Sequence, residues 1–300
     1  MTVADLMILF QAHYMKTNLA PNTYRGYLVN IKNHILPYHA DKDPDELTYT
    51  DVDHLVAELH KKGLSNTSIN YVLATYRKAL NFGIRRSYCS RNIILSYDKP
   101  RKKPYYPDIF TETDLVSLLE LESDSSLFPA ILLACVCGLR RGEAAGIKVD
   151  DISPDRIRIR RTVTYDHGLK VTPCKSRRQR VVLIDGAVYH QLMQYDQSRP
   201  SNGEGYFLRN LDGSHINPNS ISKYFKLICR KNGLPEIRFH DLRHTYATLM
   251  MEHGIHPKTV QQILGHSSIK VTLDLYSHAS IQQQHEALDV LEKIKKDSQK

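Results

Sequence analysis

The sequence reads His240-Asp241-Leu242-Arg243-His244 towards its C-terminal end, and this stretch decides how the rest of the chain is interpreted. Two further short segments follow it, Leu264-Gly265-His266 and Leu275-Tyr276-Ser277-His278. Far upstream, the chain contains Gly138-Leu139-Arg140-Arg141-Gly142-Glu143. Together these segments supply arginine, histidine and tyrosine side chains that can all act on a phosphate group.

The chemistry of phosphodiester cleavage explains why these residue types belong together. Arginine binds phosphate oxygens in a planar, bidentate geometry. A histidine can move protons near neutral pH, and a tyrosine hydroxyl can attack phosphorus to form a covalent ester. Negative charge gathers on the nonbridging oxygens in the transition state, where fixed donors stabilise it. Because no pair of carboxylates is spaced to suggest a magnesium site, arginine is expected to replace the metal, and neither a metal nor a cofactor is predicted.

The order and spacing of these motifs resemble those of the tyrosine recombinase (phage integrase) family, over nearly the whole chain. His240 and Arg243 are three residues apart and share one helix face, and Tyr276 lies ten positions after His266. The resemblance implies that the protein breaks and rejoins DNA through a covalent 3′-phosphotyrosine intermediate, without a metal ion or ATP. The catalytic residues that it implies are Arg140, Lys175, His240, Arg243, His266 and Tyr276.

The resemblance also implies a role for each residue. Arg140 and Arg243 would hold the phosphate, and Glu143 would orient the site. His240 would handle a proton near the nucleophile Tyr276. The family carries histidine or tryptophan at the position of His266, so hydrogen bonding to a phosphate oxygen matters there more than titration.

A lysine on a β-hairpin acts as the general acid for the leaving 5′ oxygen in the family. Lys175 lies in the basic turn Thr172–Arg180 and matches this lysine, with Lys170 as the alternative. The neighbouring cations of the turn are predicted DNA contacts: Arg177, Arg178 and Arg180.

Composition and charge agree with a protein that handles nucleic acid. The net charge is +9 and the pI is about 9.2, which favours a polyanionic partner. Five cysteines without a C-x-x-C pair are typical of a reducing compartment and argue against a structural zinc site. The sequence contains no run of about 18 apolar residues, so no membrane span is predicted. The N-terminus lacks the basic start of a signal peptide. A cytoplasmic protein is therefore expected, and the resemblance implies a bacterial one that is associated with the nucleoid when bound to DNA.

Residues 1–95 are predicted to form a helical, SAM-like domain that binds core-type DNA. Pro21 opens one amphipathic helix, Thr50 with Asp53 forms a capping box before another, and Gly63 ends it. Residues 96–107 contain three prolines and read as a basic linker. Four of its cations are predicted to contact the DNA backbone, the alternative being a solvated hinge: Lys99, Arg101, Lys102 and Lys103.

Residues 108–300 are predicted to form the catalytic domain. Thr111 with Asp114 forms a capping box, and a buried helix over 128–138 leads to Arg140. The periodicity then changes to two, which predicts a small antiparallel sheet that includes Arg156–Arg160. The remainder reads as helical again. The predicted fold is thus mainly α with a small antiparallel β-sheet in the second domain.

The expected partner is double-stranded DNA, bound by a homo-tetramer on synapsed sites and by a monomer or dimer otherwise. The segment from Ile281 to Ile294 would pack on a neighbouring protomer or on its own domain. The motifs look most like those of integrases of bacterial mobile elements. Many of these begin with an arm-binding domain, and none precedes residue 1, so either the protein works without one or the sequence is a fragment. The alternative functions are DNA relaxation by a type IB topoisomerase-like enzyme and, with an intact catalytic set arguing against it, a non-catalytic DNA-binding regulator.

Overall fold

The computed structural model describes residues 1–102, 107–121, 125–165, 168–174, 179–201, 203–266, 268–269 and 273. The chain divides into two compact units, Met1–Tyr105 and Tyr106–Lys300. Each unit has its own hydrophobic core. Among the described residues, no helix is both long and apolar enough to cross a bilayer.

The first unit consists of helices. Helix α1 (Val3–Phe10) continues through a π-helical segment into α2 (Lys16–Asn18), and α3 (Pro21–Asn30) continues in the same way into α4 (Leu36–His39). Helices α5 (Tyr49–Lys61) and α6 (Asn66–Arg85) complete the unit, followed by a 3₁₀ turn, Ile93–Leu95. Apolar residues three and four apart line one face of α5 and of α6 and are buried together, so the predicted periodicity is confirmed there.

The capping box of α5 differs from the predicted one. Thr48 Oγ1 accepts a hydrogen bond from the Asp51 backbone N–H at 3.3 Å, and the Thr48 backbone N–H donates to the Asp51 carboxylate at 2.9 Å. The prediction of Thr50 with Asp53 was therefore wrong by two residues. Both pairs have the required spacing, and the tertiary contacts of Asp51 favour the earlier one: its Oδ1 accepts from Lys42 at 2.7 Å, and its carbonyl lies 3.2 Å from His39.

The second unit combines helices with two small sheets. Its helices are α7 (Glu112–Glu120), α8 (Phe128–Cys137), α9 (Arg141–Ala144), α10 (Gly186–Gln197), α11 (Pro218–Lys231), α12 (Asp241–Glu252) and α13 (Pro257–Leu264). The predicted cap of Thr111 with Asp114 is confirmed at the start of α7. Helix α8 is buried on nearly all sides, so it forms the centre of the core on which the site is built.

The strands pair antiparallel, as predicted, but they form two sheets. Strands β1 (Ile152–Ser153), β2 (Arg156–Ile159) and β5 (Arg180–Leu183) make one sheet, in the order β1-β2-β5. Strands β3 (Arg161–Tyr165) and β4 (Leu169–Pro173) make the other. Strands β4 and β5, which flank Lys175 in the sequence, therefore belong to different sheets and do not pair with each other.

Candidate active site

The end of α8 determines where Arg140 lies. Gly138 adopts a left-handed conformation with φ of 60°, and its N–H donates to the Ala134 carbonyl at 3.1 Å. Leu139 is buried just after it, so the chain turns and leaves Arg140 at the start of α9. The Arg140 side chain is 30% exposed, whereas most of α8 is buried. A glycine is favoured at this turn because a side chain strains the left-handed conformation.

Glu143 is the anionic centre of the site. Its carboxylate is 1% exposed and accepts hydrogen bonds from the Arg140 backbone N–H at 2.9 Å and from Arg140 Nη1 at 2.8 Å. Arg180 Nη1 and Nη2 donate to the same carboxylate at 3.0 and 2.7 Å. Burial alone would raise the pKa of Glu143, but the hydrogen bonds and charges of Arg180 and Arg140 outweigh it and lower the pKa to about 2.

Arg243 is buried, with a side chain that is 1% exposed. Its Nη1 donates to the Gly138 carbonyl at 2.7 Å and lies 3.9 Å from a Glu143 oxygen, and its Nη2 donates to the Leu264 carbonyl. Both carbonyls lie at the C-terminal ends of helices, α8 and α13, where the helix dipole is negative. Burial and the nearby Arg140 lower the pKa of Arg243, while Glu143 opposes that shift.

His266 follows α13 and contacts Arg243 directly. Arg243 Nε donates to His266 Nε2 at 3.3 Å, so in the neutral ring the proton lies on Nδ1. Burial, Arg243 and Arg140 lower the pKa of His266 to about 3. Its backbone is held by Gln261, whose carbonyl accepts from the His266 N–H and whose side-chain amide donates to the His266 carbonyl, both at 3.1 Å.

His240 directly precedes α12, the helix that carries Arg243, and its side chain makes no capping hydrogen bond. The following residue, Asp241, is 3% exposed and is held by Arg238 at 2.7 Å, which fixes this end of the helix. The His240 ring stands edge-on to His244, with ring centroids 5.0 Å apart. Partial burial of the ring and the positive charges around it lower the pKa of His240 to about 4, so this histidine is neutral at pH 7.

The structure thus brings together Arg140, Glu143, His240, Arg243 and His266, which lie far apart in the sequence. Three guanidinium groups, counting Arg180, surround one carboxylate, and the histidines are neutral. The cluster therefore has a net positive charge that suits an oxyanion such as a phosphodiester. Within the described residues, no group of three or more histidine, cysteine or acidic side chains could hold a metal ion.

Five predicted site residues lie outside the described residues: Lys103, Lys175, Arg177, Arg178 and Tyr276. The alternative general acid, Lys170, is exposed on β4, paired opposite Thr164. Cys174, one residue before Lys175, is 3% exposed, and its Sγ donates to the Ile159 carbonyl at 3.7 Å. Cys174 is therefore anchored in the core of the second unit.

The start of the basic linker lies on the first unit. Asn66 and Asn70 of α6 donate side-chain N–H groups to the carbonyls of Arg101 and Pro100, at 2.7 and 2.8 Å. Tyr97 donates to Asp53 at 2.7 Å. The three described cations of the linker are exposed: Lys99, Arg101 and Lys102. The linker up to residue 102 is thus attached to helices α5 and α6, with its cations on the surface.

The sequence interpretation missed the role of three groups. Arg180 was grouped with the DNA contacts, but its guanidinium binds Glu143 and its side chain is only 9% exposed. The carbonyls of Gly138 and Leu264 hold Arg243, and backbone carbonyls leave no mark in a side-chain pattern. The one available signal was the glycine after each helix, at positions 138 and 265, both with left-handed φ.

Comparisons with known proteins agree with this geometry. The model of the phage integrase family matches residues 110–283, and that of the N-terminal SAM-like domain of phage integrases matches residues 8–87. The chain is 25% identical to the ICEBs1 integrase of Bacillus subtilis, over 91% of this chain and 78% of that protein. It is 24% identical to a XerC-like tyrosine recombinase of Caldanaerobacter subterraneus, over 97% and 82% of the two chains.

Solved structures share the fold. The Tn1549 transposon integrase in complex with transposon right end DNA superposes with a TM-score of 0.83, at 20% identity, over 97% of this chain and 99% of that one. A lambda integrase dimer bound to a core site superposes with a TM-score of 0.72, at 18% identity, over 92% and 95%. Because the integrase model matches more than half of the chain and spans the clustered arginines and histidines, the chain belongs to the phage integrase family, the tyrosine recombinases.

Proposed function

We propose that the protein is a site-specific DNA recombinase that integrates or excises a mobile genetic element through a 3′-phosphotyrosine intermediate. The observation that carries the proposal is the buried cluster in which Arg243 and Arg140 share Glu143 beside two neutral histidines. Cleavage and rejoining of DNA through a covalent tyrosine is the activity of the family, and the comparisons favour it over topoisomerase-like relaxation or a non-catalytic regulator.

The cleavage step assigns one task to each side chain. The Tyr276 oxygen attacks the phosphorus, forms the P–O bond of the 3′-phosphotyrosine and loses its proton, while the bond to the 5′ oxygen breaks. Arg140 and Arg243 stabilise the charge on the nonbridging oxygens. Neutral His240 is able to accept the tyrosine proton, because its lowered pKa leaves it unprotonated at pH 7. Lys175 gives a proton to the leaving 5′ oxygen, with Lys170 as the alternative donor.

Rejoining is the same step in reverse. A 5′ hydroxyl of the partner strand attacks the phosphotyrosine, so the energy of the broken bond is conserved and ATP is not needed. Because guanidinium groups supply the positive charge, the proposal requires no divalent metal.

Double-stranded DNA is the partner, and strand exchange between two sites needs more than one protomer. A lambda integrase tetramer bound to a Holliday junction superposes on this chain with a TM-score of 0.71, at 18% identity, over 92% of this chain and 77% of that one. We propose the same assembly here, four protomers on two synapsed sites, acting on bacterial DNA in the cytoplasm and nucleoid.

A trapping experiment tests the nucleophile and the metal requirement together. Footprinting on the ends of the element identifies the site, and a nicked duplex of that site prevents religation. The wild-type protein should form a denaturation-resistant adduct in excess EDTA. Tyr276→Phe should bind the duplex and form none, whereas Tyr49→Phe, which alters an exposed tyrosine of the first unit, should behave as the wild type. An adduct with Tyr276→Phe, or an adduct that forms only with added Mg²⁺, would contradict the proposal.

A further inference from the structure

Arg180 is the first residue of β5, and its surroundings differ from those of a DNA contact. Its side chain is 9% exposed, and both terminal nitrogens donate to the two oxygens of Glu143, at 3.0 and 2.7 Å. This is the bidentate geometry in which arginine binds a carboxylate most strongly and fixes the plane of the carboxylate. A guanidinium bound in this way has little surface left for a phosphate of the DNA backbone.

Glu143 transmits the constraint to Arg140. One Glu143 oxygen accepts from Arg140 Nη1 at 2.8 Å, and the other accepts from the Arg140 backbone N–H at 2.9 Å. Because Arg180 binds the same two oxygens, the orientation of the carboxylate, and with it that of the Arg140 guanidinium, depends on Arg180. Without Arg180, Glu143 could rotate about its terminal bond and keep only one of its two bonds to Arg140.

A second contact joins Arg180 to the turn that precedes His266. A Cβ atom placed on Gly265 would lie 3.2 Å from Arg180 Cδ and 3.3 Å from Nη1, so the guanidinium packs against the backbone directly before His266. Gly265 follows α13, whose Leu264 carbonyl holds Arg243. Arg180 therefore lies between the Arg140–Glu143 pair and the turn that carries His266.

Arg180 lies five residues after Lys175, which is outside the described residues. Residues 175–179 are bounded by Cys174, which is 3% exposed, and by Arg180. Cys174 is fixed to the Ile159 carbonyl and Arg180 to Glu143. Both described residues that flank this segment are therefore held within the second unit.

We propose that Arg180 is a positioning residue for strand cleavage, which orients Arg140 through Glu143, and that it is not a contact to the DNA backbone. This inference rests on the proposed recombinase function. If the inference holds, the affinity for DNA and its dependence on salt should not change when Arg180 is replaced. The rate of cleavage at saturating DNA should fall.

The first test compares Arg180→Met and Arg180→Lys with Arg158→Met, which removes an exposed arginine from the neighbouring strand β2. Binding of an intact duplex is measured over a range of salt concentrations, and adduct formation is measured on the nicked duplex at saturation. Both Arg180 variants should keep the salt slope and lose cleavage by about 10²-fold or more, as when an oriented donor is lost. Lysine should not rescue, because it cannot bind both oxygens in a fork. Arg158→Met should cleave at the wild-type rate.

A double-mutant cycle tests whether Arg180 acts through Glu143 and not through a loss of folding. Arg180→Met leaves Glu143 without its bidentate partner, so Glu143→Gln and the Arg180→Met/Glu143→Gln double variant are measured beside it, each checked by thermal unfolding. If Arg180 acts through Glu143, the double variant should cleave no more slowly than Glu143→Gln alone. Multiplied losses would overturn the inference.

Other outcomes separate this inference from the proposed function. A salt slope that falls by about 0.9 in Arg180→Met, with cleavage at saturation unchanged, would make Arg180 a phosphate contact and overturn the inference alone. Failure of the wild-type protein to form a Tyr276 adduct would instead overturn the proposed function.

Discussion

The guanidinium of Arg243 is buried, so groups of the protein must replace the hydrogen bonds that it would make to water. Carbonyls at the ends of two helices and the nearby Glu143 carboxylate do so. A buried cation is costly unless it is paired and hydrogen-bonded. The same arrangement fixes the guanidinium before any substrate binds, and preorganised donors of this kind account for much of the effect of a catalytic site on a charged transition state.

At the scale of single residues, His266 predicts how stability depends on pH. Its pKa in the folded protein is lowered to about 3, whereas an unfolded chain has a histidine pKa of about 6.5. Between these values the unfolded state binds a proton that the folded state does not. The contribution of His266 to the free energy of unfolding is therefore fully present above about pH 6.5 and is lost as the pH is lowered towards 3. One such proton contributes at most about 1.36 kcal/mol per pH unit.

The measurement compares urea unfolding of the wild type and His266→Gln between pH 7.5 and 5. Glutamine can accept from Arg243 but does not titrate, so the variant should lose less stability in acid. His240, with a pKa of about 4, shifts stability in the same direction and should keep part of the pH dependence. Equal slopes in both proteins would show that His266 is not held neutral by the site.

At the scale of helices, the left-handed turn after α8 couples two elements of the site. A Cβ on Gly138 would lie 2.3 Å from Leu264 Cδ2 and 3.1 Å from Tyr246 Cδ1. Gly138→Ala should therefore add the strain of a left-handed alanine, about 1–2 kcal/mol, and displace the end of α13, whose Leu264 carbonyl holds Arg243. We expect lower stability together with slower cleavage at saturating DNA.

Gly254→Ala is the matched control. Gly254 has a φ of 77°, but no atom lies within 4 Å of an added Cβ. This variant should show the strain in chemical unfolding and leave cleavage unchanged. If both variants lose the same stability and cleave alike, the contact between the end of α8 and α13 has no part in the geometry of the site.

The start of the linker is attached to α6 by the side-chain amides of Asn66 and Asn70. If its exposed cations contact DNA, replacing Lys99, Arg101 and Lys102 with glutamine should reduce the log–log salt slope of binding by up to about 0.9 for each phosphate contact. Replacing Asn66 and Asn70 with alanine removes the attachment and no charge, so it should weaken binding and keep the slope. An unchanged slope in the triple glutamine variant would make the linker a solvated hinge.

At the scale of the whole molecule, the net charge of +9 fits a protein that binds a polyanion. The proposed tetramer has a direct test. Complexes trapped on nicked duplexes should have the mass of four protomers and two duplexes by light scattering. Ending the chain at residue 280 removes the segment expected to pack on a neighbouring protomer or on its own domain, which lies outside the described residues. If the segment packs on a neighbour, the truncated protein should give one duplex with two protomers. A full-length complex that never exceeds two protomers would contradict the tetramer.

The sequence by itself determined the features that depend on neighbours along the chain. The starts of α3 and α7, the amphipathic faces of α5 and α6 and the alternation of β2 follow from contacts within about four residues, so composition and spacing predict them. The family also followed from the sequence, because its motifs are short and ordered. Even here, two capping boxes of equal spacing competed at the start of α5, and distant partners of Asp51 selected the earlier one.

Only the tertiary structure decided what each charged group of the site touches. Arg180 meets Glu143 across 37 residues, and Arg243 meets the Gly138 carbonyl across 105. A cation in a basic turn has the same sequence pattern whether it faces DNA or a buried carboxylate. The alternation of the five strands found among the described residues likewise does not indicate that they divide into two sheets. Burial and ion pairing depend on how separate elements pack, and packing brings together residues whose relation is absent from the local order of the chain.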